Sequence, residues 1–206
     1  MYRSGGNGMM SGIKLESLKT SFKLVAISLT LLCKLVGTAM AYEEPKYELI
    51  KSTAVYEIRK YGDRLAVQTI QNFGENKAFG RLFGYISGAN QSSSKIAMTI
   101  PVTQSDADRG IAMHFFLPSN YTKETAPLPS AEHVTLVTVP SGYYAVIKYS
   151  GRSTDTNFRK NAQILNDALD KDGIQTLKRP IKATYNGPLT PFFLRRNEAM
   201  YQVEWK

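Results

Sequence analysis

Strand-like runs alternating with two amphipathic helices, a fixed offset that lays one half of the chain over the other, and an apolar fraction large enough for a core together predict an α+β fold. The apolar fraction is 43% of 206 residues, with 11% aromatic, which suffices to bury a core in one domain. The offset is 79 residues. It brings Val55 onto Val134, Ala66-Val67 onto Ala145-Val146, Phe79 onto Phe158, Ile86 onto Leu165 and Pro101-Val102 onto Pro180-Ile181. Coincidences in strands and helices alike mark an internal repeat. The prediction is two pseudo-symmetric ββαββ-like repeats, about 53–118 and 132–206, whose sheets join and whose helices cover the faces.

The first 41 residues stand apart. Lys14, Lys19 and Lys23 precede the apolar run Leu24-Val25-Ala26-Ile27-Ser28-Leu29-Thr30-Leu31-Leu32-Cys33, and Ala39-Met40-Ala41 offers small residues at the spacing a signal peptidase accepts. Residues 1–41 therefore read as a secretory signal peptide cut after Ala41, and the chain as exported, periplasmic or secreted. A retained membrane anchor is the rival reading, but the run between Lys23 and Lys34 is about half of the roughly twenty residues a helical span needs. Leu32 occupies the place where a lipoprotein signal carries a small residue, which argues against lipidation at Cys33. The segment holds five basic residues and Glu16, so the formal charge of +9 falls to +5 over residues 42–206. No Lys/Arg stripe interleaved with aromatics accompanies that excess, so nucleic acid is not an expected partner. Cys33 is the only cysteine. Its removal with the signal excludes thiol catalysis, zinc–cysteine sites, iron–sulfur clusters and covalent c-type haem.

After the signal, Val55 to Tyr61 and Leu65 to Ile70 flank Gly62-Asp63 and predict a hairpin. A helix follows over about 73–87: Asn72 with Glu75 reads as a capping box, Phe79, Leu82, Phe83 and Ile86 recur at helical spacing, and Ser87-Gly88 closes it. That face needs a cover. A β-sheet is the common one, and part of the face lining a pocket for a flat apolar ligand is the other. Asn90 to Ser94 is a polar loop, Lys95 to Gln104 a strand, Asp106 to Gly110 a turn, and Ile111 to Leu117 a strand stopped by Pro118. Ser119 to Ala131, with Pro127 and Pro129, is a long loop. A second hairpin is expected from Val134 to Val139 and Tyr143 to Tyr149. The second helix carries Phe158, Ala162, Leu165 and Leu169 and ends at Asp172-Gly173.

Three stretches carry a resemblance that periodicity does not supply. They are Lys95-Ile96-Ala97-Met98-Thr99-Ile100-Pro101-Val102, then Met113 to Pro118 with Tyr121 and Pro127-Leu128-Pro129, and the ending from Tyr185-Asn186-Gly187-Pro188 through Pro191-Phe192 to Arg195-Arg196-Asn197-Glu198. In this order, from about Tyr47 to Trp205, the chain resembles the SOUL haem-binding protein family. The resemblance implies a distorted antiparallel β-barrel flanked by two helices, similar to the effector-binding domains of some bacterial transcription regulators. It also implies non-covalent binding of haem or another tetrapyrrole in a hydrophobic groove beside the first helix and the Pro-rich loop near the C-terminus. Carried over by position, Phe79, Leu82, Phe83 and Ile86 would face Tyr185, Pro188, Leu189 and Phe192. Arg81, Lys77, Arg195 or Arg196 would meet the propionates. Gly84 departs from a haem-binding family member that carries a basic residue there.

His114 and His133, the two histidines, read as structural or surface residues, since no second ligand or orienting group accompanies either. Ring contacts rather than an axial histidine are therefore expected to hold the ligand, and Met98 reads as core. No paired carboxylates, nucleophile elbow, phosphate-cradling loop or metal-spaced His pair is present. The expectation is an exported, monomeric binding protein for haem or a related tetrapyrrole, and not an enzyme. A carrier of another apolar ligand, or a protein-interaction module with the same fold, is the alternative.

Overall fold

The computed structural model describes Met1 and residues 42–206; the expected signal peptide, with its expected cleavage after Ala41, falls on residues outside the described ones. Nine strands and two helices follow in the order β1 (Tyr47–Ser52), β2 (Glu57–Tyr61), β3 (Arg64–Gln71), α1 (Ala78–Ile86), β4 (Val102–Ala107), β5 (Gly110–Phe116), β6 (Thr135–Val139), β7 (Gly142–Tyr149), α2 (Asp155–Lys171), β8 (Ile181–Thr184) and β9 (Asn197–Val203). One antiparallel sheet joins all nine strands in the order β1-β2-β7-β9-β8-β4-β5-β3-β6. The fold is α+β, as expected. No helix of the described residues is long and apolar enough to cross a membrane.

The expected barrel is a curled open sheet. Its end strands pair on one side only, β1 with β2 and β6 with β3, so no ladder closes it. The curl is nonetheless strong. β3 and β7 are five ladder steps apart in the strand order, about 24 Å at the usual spacing of a flat sheet, yet the Arg64 guanidinium of β3 lies 5.1 Å from the Tyr144 ring of β7. Side chains alternate across the sheet. Ile58, Ala145, Ile147, Ala199 and Tyr201 point outward under Leu165 and Leu169 of α2, while Val67, Met113 and Phe115 point outward under Leu82, Tyr85 and Ile86 of α1. The two helices thus cover the convex face, and the concave face is left for Tyr61, Tyr144, Val146, Tyr185 and Met200.

Neither expected hairpin forms. β2 pairs with β1 and β7, whereas β3 pairs with β5 and β6; β7 pairs with β2 and β9. A two-residue hairpin needs a positive φ in its turn, and neither Gly62-Asp63 nor Ser141-Gly142, where the second hairpin was expected to turn, has one. Each connection therefore carries the chain onward into the other half of the sheet.

Other boundaries also move. α1 starts at Ala78, not near 73, and its cap is not the Asn72/Glu75 box: the Gln71 side chain, at the end of β3, accepts from the amides of Lys77 and Ala78 at 3.2 and 2.9 Å. Of the strand expected over 95–104, only Val102 onward enters the sheet. Before it, the Ile96 amide donates to Ile86 O at 2.8 Å and the Ile100 amide to Glu43 O at 3.0 Å, which lays the segment over the end of α1. β1 was not anticipated. The helix ends at Gly88 and Gly173 stand where expected, with φ of 117° and 68°.

Candidate functional site

Helix α1 divides its apolar residues between two surroundings. Leu82 and Ile86 are 0% and 6% exposed and belong to the core beneath the helix, so they support the surface without reaching it. Phe79 and Phe83, four residues apart and hence stacked along one flank, are 49% and 51% exposed. Their rings lie 6.0 Å apart and within 13° of parallel, and the inner ring edge of Phe79 meets buried Phe115 at 5.2 Å. Phe115 and the buried residues below support this pair, whose open halves leave an apolar aromatic surface on one flank of α1. Arg81, two residues from each ring, projects from the opposite flank of the helix, with Nη1 donating to Ile70 O at 3.4 Å and the Glu75 carboxylate 3.7 Å away. Gly84 is half-buried, next to Ala89.

The loop residues sit differently. Pro188, Leu189 and Phe192 are exposed, Leu189 fully, and with Phe193 and Leu194 they make an apolar knuckle. Arg195 shapes that knuckle from within, donating from Nε to Thr190 O at 2.7 Å and from Nη2 to Pro188 O at 2.6 Å. Tyr185 is buried on the concave face and donates to Glu198 at 2.6 Å. Its ring carries the Arg196 guanidinium at 3.7 Å, and Arg196 also donates to Glu198 and Glu44. The loop is anchored near the start of α2, with the Gly151 amide donating to Phe192 O. No hydrogen bond or ring pair among the described residues joins the helix set to the loop set.

The concave face joins residues of the C-terminal motif to Arg59, a partner that the sequence does not indicate. Fully buried Glu198 takes both arms of the Arg59 guanidinium, at 3.0 and 3.1 Å, besides Arg196 and Tyr185. Arg59 in turn meets Glu57, which also binds Lys148. Although burial pushes the Glu57 carboxyl up, these two cations outweigh it and hold it below its ordinary range. Desolvation by burial, with Glu198's charge and hydrogen bond added, drives the Tyr185 hydroxyl well above its usual value. Next to this network opens a cavity of about 750 Å³, lined by residues of β3 to β9, among them Arg64, Gln68, His114, Phe116, Val137 and Met200. His114 bonds Gln68 at 2.8 Å. Burial, then the charge of Arg64, hold its imidazolium down at about 4. A polar concave face was readable from Arg64 and Gln68, which share one side of β3 while Leu65 and Val67 take the other. Its enclosure was not, because it comes from the curl.

The remaining sequence candidates are plain. His133 and Lys77 are exposed, and Met98 packs against the core under α1. Among the described residues no cluster of three or more His, Cys, Asp or Glu is placed to hold a metal ion.

The family profile described as SOUL heme-binding protein matches residues 42–202. None of the curated proteins matches the chain. Solved structures share the fold at low identity. The C-terminal domain of EcmrR superposes with a TM-score of 0.55 at 11% identity, covering 78% of this chain and 99% of that one. A hydrolase from Listeria innocua gives 0.53 at 11% identity, over 75% and 94%. EcmrR in its complex with DNA in EcmrR-RPo gives 0.53 at 11%, over 94% and 69%.

Proposed function

The chain belongs to the SOUL heme-binding protein family, and on that footing we propose that it binds haem or a related tetrapyrrole non-covalently through the Phe79/Phe83 wall of α1. The single observation that carries this reading is the near-parallel, half-exposed pair of rings. A porphyrin presents two wide apolar faces, so an exposed aromatic surface suits part of one of them, and burying the open half of each ring contributes about 1 kcal/mol before binding costs. Arg81 projects from the opposite flank of α1, toward Ile70 O and Glu75, and does not join this surface. The exposed knuckle of Pro188, Leu189 and Phe192, stiffened by Arg195, is the apolar surface for the other side of the ligand. No axial histidine enters the reading. The chain acts as an exported monomeric carrier or sensor, periplasmic or secreted after loss of residues 1–41, and not as an enzyme or a nucleic-acid binder.

The reading extends to the architecture of residues 42–206, as two related repeats. Laid over one another by the 79-residue offset, β2 matches β6, β3 matches β7, α1 matches α2 and β4 matches β8. With β5 matched to β9 and β1 left out, the strand order becomes its own reverse. A pseudo-twofold axis between β4 and β8 accounts for that order.

Titration of the protein with haemin tests the binding. A saturable Soret shift at micromolar protein is expected, and Phe79→Ala with Phe83→Ala should raise Kd about tenfold or more, equivalent to about 1.4 kcal/mol. Absence of a shift would remove haem as the ligand. A shift with unchanged Kd in the double variant would move the site off α1.

A further inference from the structure

We infer that the concave cavity is a separate binding site for an organic anion with an apolar body, its charged group held by Arg64 with Gln68 and His114 alongside. Three arginines on the concave side differ in their partners. Arg59 and Arg196 reach into the interior and each meets the carboxylate of Glu198. Arg64 also reaches inward, yet among the described residues no carboxylate lies within 4 Å of it, and its Nε is buried without a hydrogen-bond partner. The rings of Tyr61, Phe116 and Tyr144 surround its guanidinium at 4.4, 5.0 and 5.1 Å. Rings of this kind offset part of the loss of hydration and the Tyr144 hydroxyl hydrogen-bonds the guanidinium, but none of them supplies a full negative charge or a partner for Nε. A half-buried cation without an anion is costly to fold around, and burial accordingly works against its charge. An anionic ligand supplies the missing acceptor.

The cavity walls set the rest of the chemistry. Buried Phe116, Tyr144 and Met200 with half-buried Val137 and Val139 form an apolar lining. Its volume of about 750 Å³ falls in the range for a compact organic ligand. The charged residues on the exposed rim are of both signs, Asp106 and Asp108 with Lys178 and Arg179, and the Asp106–Arg179 pair closes at 3.1 Å. The rim is therefore balanced, whereas the interior holds one positive charge facing no acid. A neutral ligand leaves Arg64 as it is, and a cation is repelled. The cavity lies on the face of the sheet opposite α1, so this site stands or falls independently of the haem proposal.

Two fluorescent probes that differ in their charged group test it: anilinonaphthalene sulfonate and its neutral relative N-phenylnaphthylamine. The sulfonate should bind the wild-type protein at least tenfold more tightly than the neutral probe. Arg64→Met should raise the Kd of the sulfonate tenfold or more, leave the neutral probe within twofold, and keep or raise the melting temperature. That last outcome separates a ligand-binding cation from a structural one. Val137→Trp, on the edge strand β6, fills the cavity without a change of charge and should block both probes, and it decides the matter if Arg64→Met fails to fold. Equal affinity of the two probes for the wild-type protein, an unchanged sulfonate Kd in folded Arg64→Met, or undiminished binding to Val137→Trp would each overturn the inference.

Discussion

Single residues on the concave face explain why the ending Arg195-Arg196-Asn197-Glu198 is so particular. Arg195 bonds the loop carbonyls, Arg196 and Glu198 close the buried ion network with Arg59, and Asn197 donates to Gly151 O at 3.0 Å. Each side chain in the motif therefore has a structural task of its own. The sequence reading offered both arginines for propionates, because their shared positive charge is visible in a string of letters and their separate partners are not. His114 yields the testable consequence at this scale. The unfolded chain takes up a proton on this ring near the ordinary value of 6.5, while the folded chain resists until about 4. The folded state thus holds fewer protons in that window, so its stability is complete above about 6.5 and declines as the pH falls toward 4. The slope is about 1.4 kcal/mol per pH unit for one such group. Urea unfolding of wild-type and His114→Gln protein between pH 6.5 and 5 should show that slope in the wild type and lose it in the variant. Parallel lines would mean that the ring is solvated.

At the scale of elements, the start of α1 is held from outside its own sequence. Gln71 closes β3, caps the helix with its side chain, and presents its carbonyl oxygen so close to Gly110 that a Cβ there would overlap it. Gly110 also has a φ of 144°, a value that favours glycine. One point therefore fixes the end of β3, the start of β5 and the angle at which α1 leaves. Gln71→Ala should cost about 1 kcal/mol, as loss of a helix cap does, and should speed amide exchange at Lys77 and Ala78 while the far end of α1 is unchanged. Exchange accelerated evenly along α1 would show that packing, not the cap, holds its first turn. This is also where sequence reading reached its limit. Helices with an apolar stripe and a terminal glycine declare themselves locally, and both were legible to their last residues. Asn72 and Glu75 looked like a capping box because they carry the right types at the right spacing. They bond each other in a turn ahead of the helix, at 3.1 Å, where the Glu75 amide donates to Asn72 O, and the amides that open the helix itself, those of Lys77 and Ala78, go to Gln71. The two expected hairpins failed for a related reason: strand type is local, but the partner of a strand is not.

The molecule as a whole is interlocked by those non-local pairings. β2 finds its ladder on β7 and β3 on β6, so each end of the curled sheet is built from both halves of the chain, and the β4–β8 ladder joins the halves at the middle. The offset of 79 residues was legible because matched side chains recur, whereas the crossing-over was hidden, since a repeat in sequence does not say whether its copies fold side by side or through one another. The difference has a thermodynamic consequence. Copies folding side by side would each own a complete sheet edge and core. Here, a fragment of residues 42–131 exposes the unpaired edges of β2, β3 and β4 and one of its two helix-covered cores lacks β7, β9 and α2. A fragment of residues 132–206 retains α2 with β7, β8 and β9 but loses Tyr56 and Ile58 from beneath the helix. Unpaired strand edges and half-covered apolar faces leave too little buried area to offset chain entropy in pieces of this size. Each fragment alone should therefore lack a cooperative thermal transition and dispersed amide resonances. Mixed in equal amounts, the two should recover both, together with the ability to bind the anionic probe, because Arg64 and Val137 come from different fragments and the cavity exists only when they meet. Cooperative melting of either fragment by itself would show that the halves are autonomous and that the crossed ladders are an addition to the fold and not its basis.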